Sequence, residues 1–388
     1  MPRWNRPRPV AALCAVAMAV ITALLSPTVT AAADTASPSP RAAAGLTVPA
    51  GVTAGVAVFD RQTGTFTEQL NPAMQFRSAS VVKLLIALDY MWNRDPDYEI
   101  PAADRAQLNS MLRSSDDDAA SDFWVRGGEG AIVSRMAYEL KLQNTNPPPD
   151  GQDDMWGYTA MSAADTVKIY RYLLDQAPAP VRELIMGNLR QSTRCSTIDL
   201  FDQHFGIASA FDRPWAVKQG WSGFGGRENG TCPSAASVQG GEAADVDVTH
   251  PALHTTGTVG AGDRSIVAVF TLHNTGTPYG KAYTDLGRLT RSLTVPGGVR
   301  PTGTWFGTWN SGVNVRDGAT TGSAARIKLP AGVEVLVGCQ KEGQTVSVPP
   351  YTNQWWAYLP QYGGYVSNIY ISSPDNQLPD VPLCRSQQ

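Results

Sequence analysis

Ser80 and Lys83 stand three positions apart in Ser80-Val81-Val82-Lys83, where a long apolar stretch begins. At the start of a helix, residues three apart share a face, so the Lys83 amine can reach the Ser80 hydroxyl. A neutral lysine can accept the serine proton, and a helix N-terminus favours negative charge forming there. The chemistry this allows is nucleophilic acyl transfer, with Ser80 as nucleophile and Lys83 as general base. Roughly one Ser-x-x-Lys arises by chance in a chain of this length, so its meaning depends on its surroundings. Two further segments carry the same kinds of group: Ser115-Asp116-Asp117 and Lys218-Gln219-Gly220. If the four residues act together, Ser80 Oγ and Lys83 Nζ should lie within about 3.2 Å, with Ser115 and Lys218 facing the same cleft.

The elements that must position them are legible in part. Val52 to Asp60 reads as a strand and Asp60 to Gly64 as a hairpin turn. Ala79 to Trp92 reads as a helix, apolar on every face and therefore buried. A second helix is expected from about Ala103 to Trp124. Ser162, with Asp165 three residues on, marks the start of a third running to about Leu174. Strands around Trp215–Gln219 and Ser265–His273 precede a last helix from Tyr279 to Leu293. There Tyr279, Ala282, Leu286, Leu289 and Leu293 recur at helical spacing. Strands at both ends with helices between them predict one α+β domain over residues 49–294, its terminal strands sharing a sheet. Pro- and Gly-rich residues 295–304 read as a linker. Residues 305–388, rich in Gly, Trp and Tyr with alternating apolar positions, read as a small all-β domain.

Taken together, the three segments resemble the class A β-lactamases and penicillin-binding proteins. Their order and placement match that family's Ser-x-x-Lys, Ser-Asp-Asn and Lys-Thr-Gly elements over residues 50 to 293. The resemblance implies an antiparallel sheet with helices and an acyl-enzyme on Ser80, with Lys83 as its base. It implies that Ser115 relays a proton toward the leaving group and that Lys218 holds a substrate carboxylate. Backbone N–H groups of Ser80 and Trp221, beside Gly220, would form the oxyanion hole; losing one such donor costs about 100-fold or more in rate. The C-terminal residues 305–384 resemble a bacterial SH3 domain through Gly312–Gly318, Ile327–Val335, Trp355–Tyr358 and Gly364–Ser367. This implies a small barrel of a kind found on exported proteins that contact the cell wall. Trp355, Trp356, Tyr358, Tyr362 and Tyr365 either line a peptide groove or fill its core.

The departures from the family pattern bear on activity. Ser80 and Ser115 are closer in sequence than in ordinary class A enzymes, so a segment over the site is missing. Asp117 stands where Asn donates to a substrate carbonyl, and an ionised Asp can only accept. Gln219 replaces the Thr or Ser that helps bind the β-lactam carboxylate. The stretch Leu140 to Thr159 should hold the Glu that activates water for deacylation, yet it holds none; Asp150, Asp153 and Asp154 read as solvated loop charges. Hydrolysis of an acyl-enzyme should therefore be slow and β-lactamase turnover weak or absent. Gly220-Trp221-Ser222-Gly223-Phe224 lacks the last glycine of a nucleophile elbow, and no βα alternation follows it.

The N-terminus gives an address. Arg3, Arg6 and Arg8, an apolar run from Val10 to Leu25, and Thr30-Ala31-Ala32-Ala33 describe a cleaved signal peptide over residues 1–33. Cys14 follows Leu13 inside the apolar run without a lipobox, so lipid attachment is not expected. Residues 34–48, rich in Ala, Ser and Pro, read as a flexible leader. The expected location is secreted, with no membrane contact after cleavage. Lys and Arg number 31 against 34 Asp and Glu with no basic stripe, which excludes nucleic acid as a partner. Cys195, Cys232, Cys339 and Cys384 remain after cleavage, an even number that suits two disulfides in an oxidising compartment. Cys195 with Cys232 and Cys339 with Cys384 is the simplest pairing; two others are open. His204, His250, His254 and His273 form no ligand set, with residues 250–254 read as a loop at Pro251, so neither metal nor cofactor is expected. Two functions fit: a serine hydrolase acting on an amide, ester or β-lactam-like small molecule or peptide of cell-wall origin, or a non-catalytic protein that binds peptidoglycan through its SH3-like domain.

Overall fold

In the computed structural model Val52–Asp60 (β1) is the strand on which two cores meet. The model describes residues 46–385 apart from 93, 95, 198, 226–231 and 233–246. The expected signal peptide and most of the expected leader lie outside the described residues. Side chains alternate across a strand, and β1 uses both faces. Ala57 and Phe59 enter a cluster built from helices, whereas Ala54, Val56 and Val58 enter a second cluster that continues into the C-terminal strands.

Thr65–Leu70 (β2) folds back on β1, and Gln75–Arg77 (β3) leads into a tight turn at Ala79–Val82 and the buried helix Lys83–Trp92 (α1). Helices Ala102–Arg113 (α2), Asp117–Gly127 (α3) and Gly130–Leu140 (α4) follow. The single helix expected over 103–124 is thus two. Ser115 breaks it with φ 58°, and the Asp116 carboxylate restarts it by accepting from Ala119 N at 3.1 Å. Ala160–Ser162 (β4) pairs with β3, and Ser162 caps Ala163–Asp175 (α5) by accepting from Asp165 N at 3.2 Å. Ala179–Arg190 (α6) and the short Ile207–Ala210 (α7) complete the helical layer.

Trp215–Ser222 (β5), Ala252–Val259 (β6) and Ser265–His273 (β7) finish an antiparallel sheet of order β2-β1-β7-β6-β5. The chain ends therefore share one sheet, as the α+β reading expects. β6 corrects the loop expected around Pro251: its Thr255, Thr256 and Thr258 are buried, and β-branched residues suit a buried strand whatever their polarity. Tyr279–Ser292 (α8) covers the second face, with Ala282, Leu286 and Leu289 buried.

The C-terminal residues are all β beyond one short turn, as expected. Thr304–Phe306 (β8) and Val335–Val337 (β11) pair as a two-stranded sheet. Asn314–Arg316 (β9), Ala325–Lys328 (β10), Cys339–Val348 (β12), Tyr351–Leu359 (β13) and Gly364–Ser367 (β14) form a second, of order β10-β9-β14-β13-β12. Both sheets are open; no barrel closes among the described residues. Trp356, Tyr362 and Tyr365 are buried, so they fill this core. These strands sit hard against α8: a Cβ on Gly280 would lie 2.0 Å from Ala331 O, and Glu334 takes both Arg288 and Arg291. Disulfides join Cys195 to Cys232 and Cys339 to Cys384, the simplest of the pairings the sequence leaves open. No helix among the described residues is long and apolar enough to cross a membrane.

Candidate active site

Ser80 lies in the tight turn that opens α1, 6% exposed. Ala79 before it has φ 45°, a left-handed conformation that costs a non-glycine residue energy and recurs at functional turns. The turn is held from several sides. Ser78 N donates to Thr159 O at 2.8 Å, and buried His254 donates from Nε2 to Arg77 O at 2.8 Å. His254 Nδ1 accepts from Thr271 N at 3.2 Å, so the ring is neutral, and burial pushes its pKa down to about 3.

The opposite wall is β5, the outer strand of the sheet. Alternation along it aims Lys218 and Gly220 at Ser80's side and Gln219 and Trp221 away. A Cβ on Gly220 would sit 2.8 Å from Ser78 O and 3.3 Å from Ser80 N. Only glycine lets this backbone approach so closely, and the approach brings the peptide of Gly220 and Trp221 alongside the Ser80 amide.

Ser115 completes the group. Its Oγ lies 2.9 Å from Lys218 Nζ and 3.4 Å from Lys83 Nζ, between two ammonium side chains that are both buried. Lys83 also donates to Ser115 O at 2.9 Å and pairs with the Asp117 carboxylate. Burial, and then the neighbouring charge of Lys83, push the Lys218 pKa well below its ordinary value. Lys218 is further held by Gln219 O at 3.1 Å.

Three expectations meet a different geometry. No hydrogen bond joins Lys83 to Ser80 among the described residues, because Asp117 and Ser115 draw the amine away. Gln219 does not face the cleft: its amide donates to Gln203 O at 3.0 Å and Phe205 O at 2.7 Å, pinning the neighbouring loop. The Trp221 indole also turns outward, donating to Asp199 at 2.5 Å and packing against Phe201 and Phe205. Asp199 went unnoticed in the sequence. Its carboxyl is pushed up by burial, is held by Ser196, and feels the charge of Asp117.

The segment expected to lack a deacylating Glu supplies an aromatic ring instead. Trp156 lies over Lys83, its ring centre 4.5 Å from Nζ, and donates from Nε1 to Ser121 Oγ at 3.2 Å. Asp150, Asp153 and Asp154 are exposed, as expected of loop charges. A large aromatic in a polar loop was the available signal for Trp156. No group of three metal-ligating side chains occurs among the described residues.

No family model matches the chain. Over 176 residues it is 39% identical to LppW, named as a lipoprotein, of Mycobacterium tuberculosis and Mycobacterium bovis; the match takes in 44% of this chain and 54% of LppW. The chain thus spans about half the length of the curated relatives it matches. Among solved structures it is similar to a class A β-lactamase from Mycobacterium abscessus, with 15% identity and a TM-score of 0.44, covering 62% of this chain and 92% of that one. It is similar to PBP-A with 16% identity and a TM-score of 0.45, covering 66% and 96%. It is similar to TLA-3 extended-spectrum β-lactamase with 11% identity and a TM-score of 0.46, covering 62% and 92%.

Proposed function

We propose that the protein is an exported serine hydrolase of the β-lactamase and penicillin-binding kind, acylated on Ser80 and slow to release the acyl group. The observation that carries this reading is the placement of Ser115 Oγ between Lys83 and Lys218, beside a strained turn that presents Ser80 to the Gly220 backbone. In acylation the Ser80 oxygen bonds to the substrate carbonyl carbon and the bond from that carbon to the leaving nitrogen, oxygen or sulfur breaks. The serine proton passes to the leaving group through Lys83 and Ser115. Lys218, shifted toward its neutral form, is the natural partner for Ser115 in that transfer. The amides of Ser80 and Trp221 receive the developing oxyanion.

Asp117 can only accept, so the substrate group that meets it carries an N–H donor. Deacylation needs an activated water, and Trp156 covers the face of Lys83 where one would stand. Two disulfides suit an oxidising location, and the C-terminal sheets, read as an SH3-like domain, would bring the enzyme to peptidoglycan. Ser80→Ala tests the reading: a penicillin or an activated thioester should add mass to the native protein and none to the variant.

One observation favours the second reading, a binding protein on a hydrolase fold. The Ser80 hydroxyl has no hydrogen bond to its base, while Trp309 and Tyr351 on the C-terminal sheets are exposed and in ring contact at 6.4 Å. Folded protein that takes up neither reagent would decide for it.

A further inference from the structure

We propose that the C-terminal sheets are a working part of the acylation site, acting through Arg194 as a positioning residue. This rests on the hydrolase reading above for its effect on rate, though not for its effect on structure.

The loop of residues 193–203 is fastened to both catalytic segments. Thr193 N and Gln203 Nε2 donate to Arg113 O at 3.0 and 2.9 Å, and Thr197 N donates to Ser114 O at 2.9 Å. These carbonyls belong to the two residues that precede Ser115 and its left-handed backbone. On its other side, the loop's Gln203 carbonyl takes the amide of Gln219, between Lys218 and Gly220 on β5. A shift of the loop therefore moves Ser115 and Lys218 relative to each other.

Arg194 ties this loop to the C-terminal residues. One terminal nitrogen pairs with buried Asp202 at 2.8 Å, the other donates to Gln361 O, and the guanidinium lies 4.4 Å over the Tyr362 ring. The turn at residues 360–362 joins β13 to β14, so the second C-terminal sheet grips the loop directly. A planar fork with two outlets and a stacking face is what arginine supplies and lysine does not.

Arg194→Lys is the informative variant, because it keeps a charge for Asp202 while giving up the reach to Gln361 and the stack on Tyr362. Hydrogen exchange on the whole chain should show faster exchange confined to residues 193–203 and 113–115, with the melting temperature nearly unchanged. The first-order acylation step with an activated thioester should fall roughly tenfold, since small misplacements cost heavily in rate, at an unchanged half-saturating concentration. Tyr362→Leu should do the same more weakly. Exchange that is unaltered, or faster throughout with a lowered melting temperature, would overturn the proposal, as would a changed half-saturating concentration with an unchanged rate. Native protein that fails to acylate would remove the hydrolase reading, while the exchange pattern would still decide whether Arg194 positions the loop.

Discussion

Lys83 carries three partners at once: Ser115, Asp117 and the ring of Trp156. Replacing it with Met keeps the volume and leaves Asp117, which is half-exposed, free to take water. The fold should survive, and acylation of Ser80 should fall by roughly 100-fold or more, as for loss of a general base. A stopped time course by mass spectrometry reads this, and an unchanged rate would move the base to Lys218. Trp156→Ala opens the covered face of Lys83. The acyl adduct should then hydrolyse faster than on the native protein; an unchanged lifetime would mean that water access does not limit release. Ser80, Lys83, Ser115 and Lys218 were legible because their types and order are constrained by the chemistry. Asp199 and Trp156 were not, because a lone Asp and a lone Trp in loops carry no spacing that betrays a neighbour far along the chain.

Two short elements, the turn before α1 and the outer strand β5, set the site by how closely their backbones approach. Gly220→Ala should push them apart, since the added carbon would meet Ser78 O at 2.8 Å. Overpacking of this kind costs about 1–3 kcal/mol. The expected result is a measurable drop in denaturation midpoint with a disproportionate loss of acylation, and a variant that acylates normally would deny the close approach a role. Most elements followed from periodicity, including β1, α1, α5 and α8. The break at Ser115 did not, because a left-handed residue between two helical stretches leaves the hydrophobic period almost intact. β6 was missed for another reason: its Thr and Gly residues look like loop until burial between β5 and β7 selects the extended form. Gln219 was misplaced by analogy with Thr, whose short side chain cannot reach the Phe205 carbonyl as Gln does.

At the scale of the whole molecule, the sheet's two faces and the C-terminal strands share buried histidines that respond to acid. His254 is pushed down to about 3, and His204 and His273 to about 4, chiefly by burial. A folded state that resists protonation is fully favoured above the unfolded value near 6.5 and loses ground as pH falls toward the folded value. His254 alone should contribute about 1.4 kcal/mol of lost stability for each pH unit below 6.5. Denaturant unfolding between pH 7 and 5 should therefore show stability falling steadily; a flat profile would mean that these rings are not held neutral. The all-β C-terminus was visible in composition alone. Its grip on α8 and on the 193–203 loop was not, because a Pro- and Gly-rich stretch reads as a free linker even where Val295 is buried and Arg300 lies over Phe211.

The measurement that tests the central claim most directly is intact-protein mass spectrometry over time, with a penicillin and separately with an activated thioester, on native protein and Ser80→Ala. The account predicts one covalent adduct on the native chain, absent from the variant, forming through Ser80 and decaying slowly. No adduct from either reagent on folded protein, or an adduct that persists in Ser80→Ala, would contradict it.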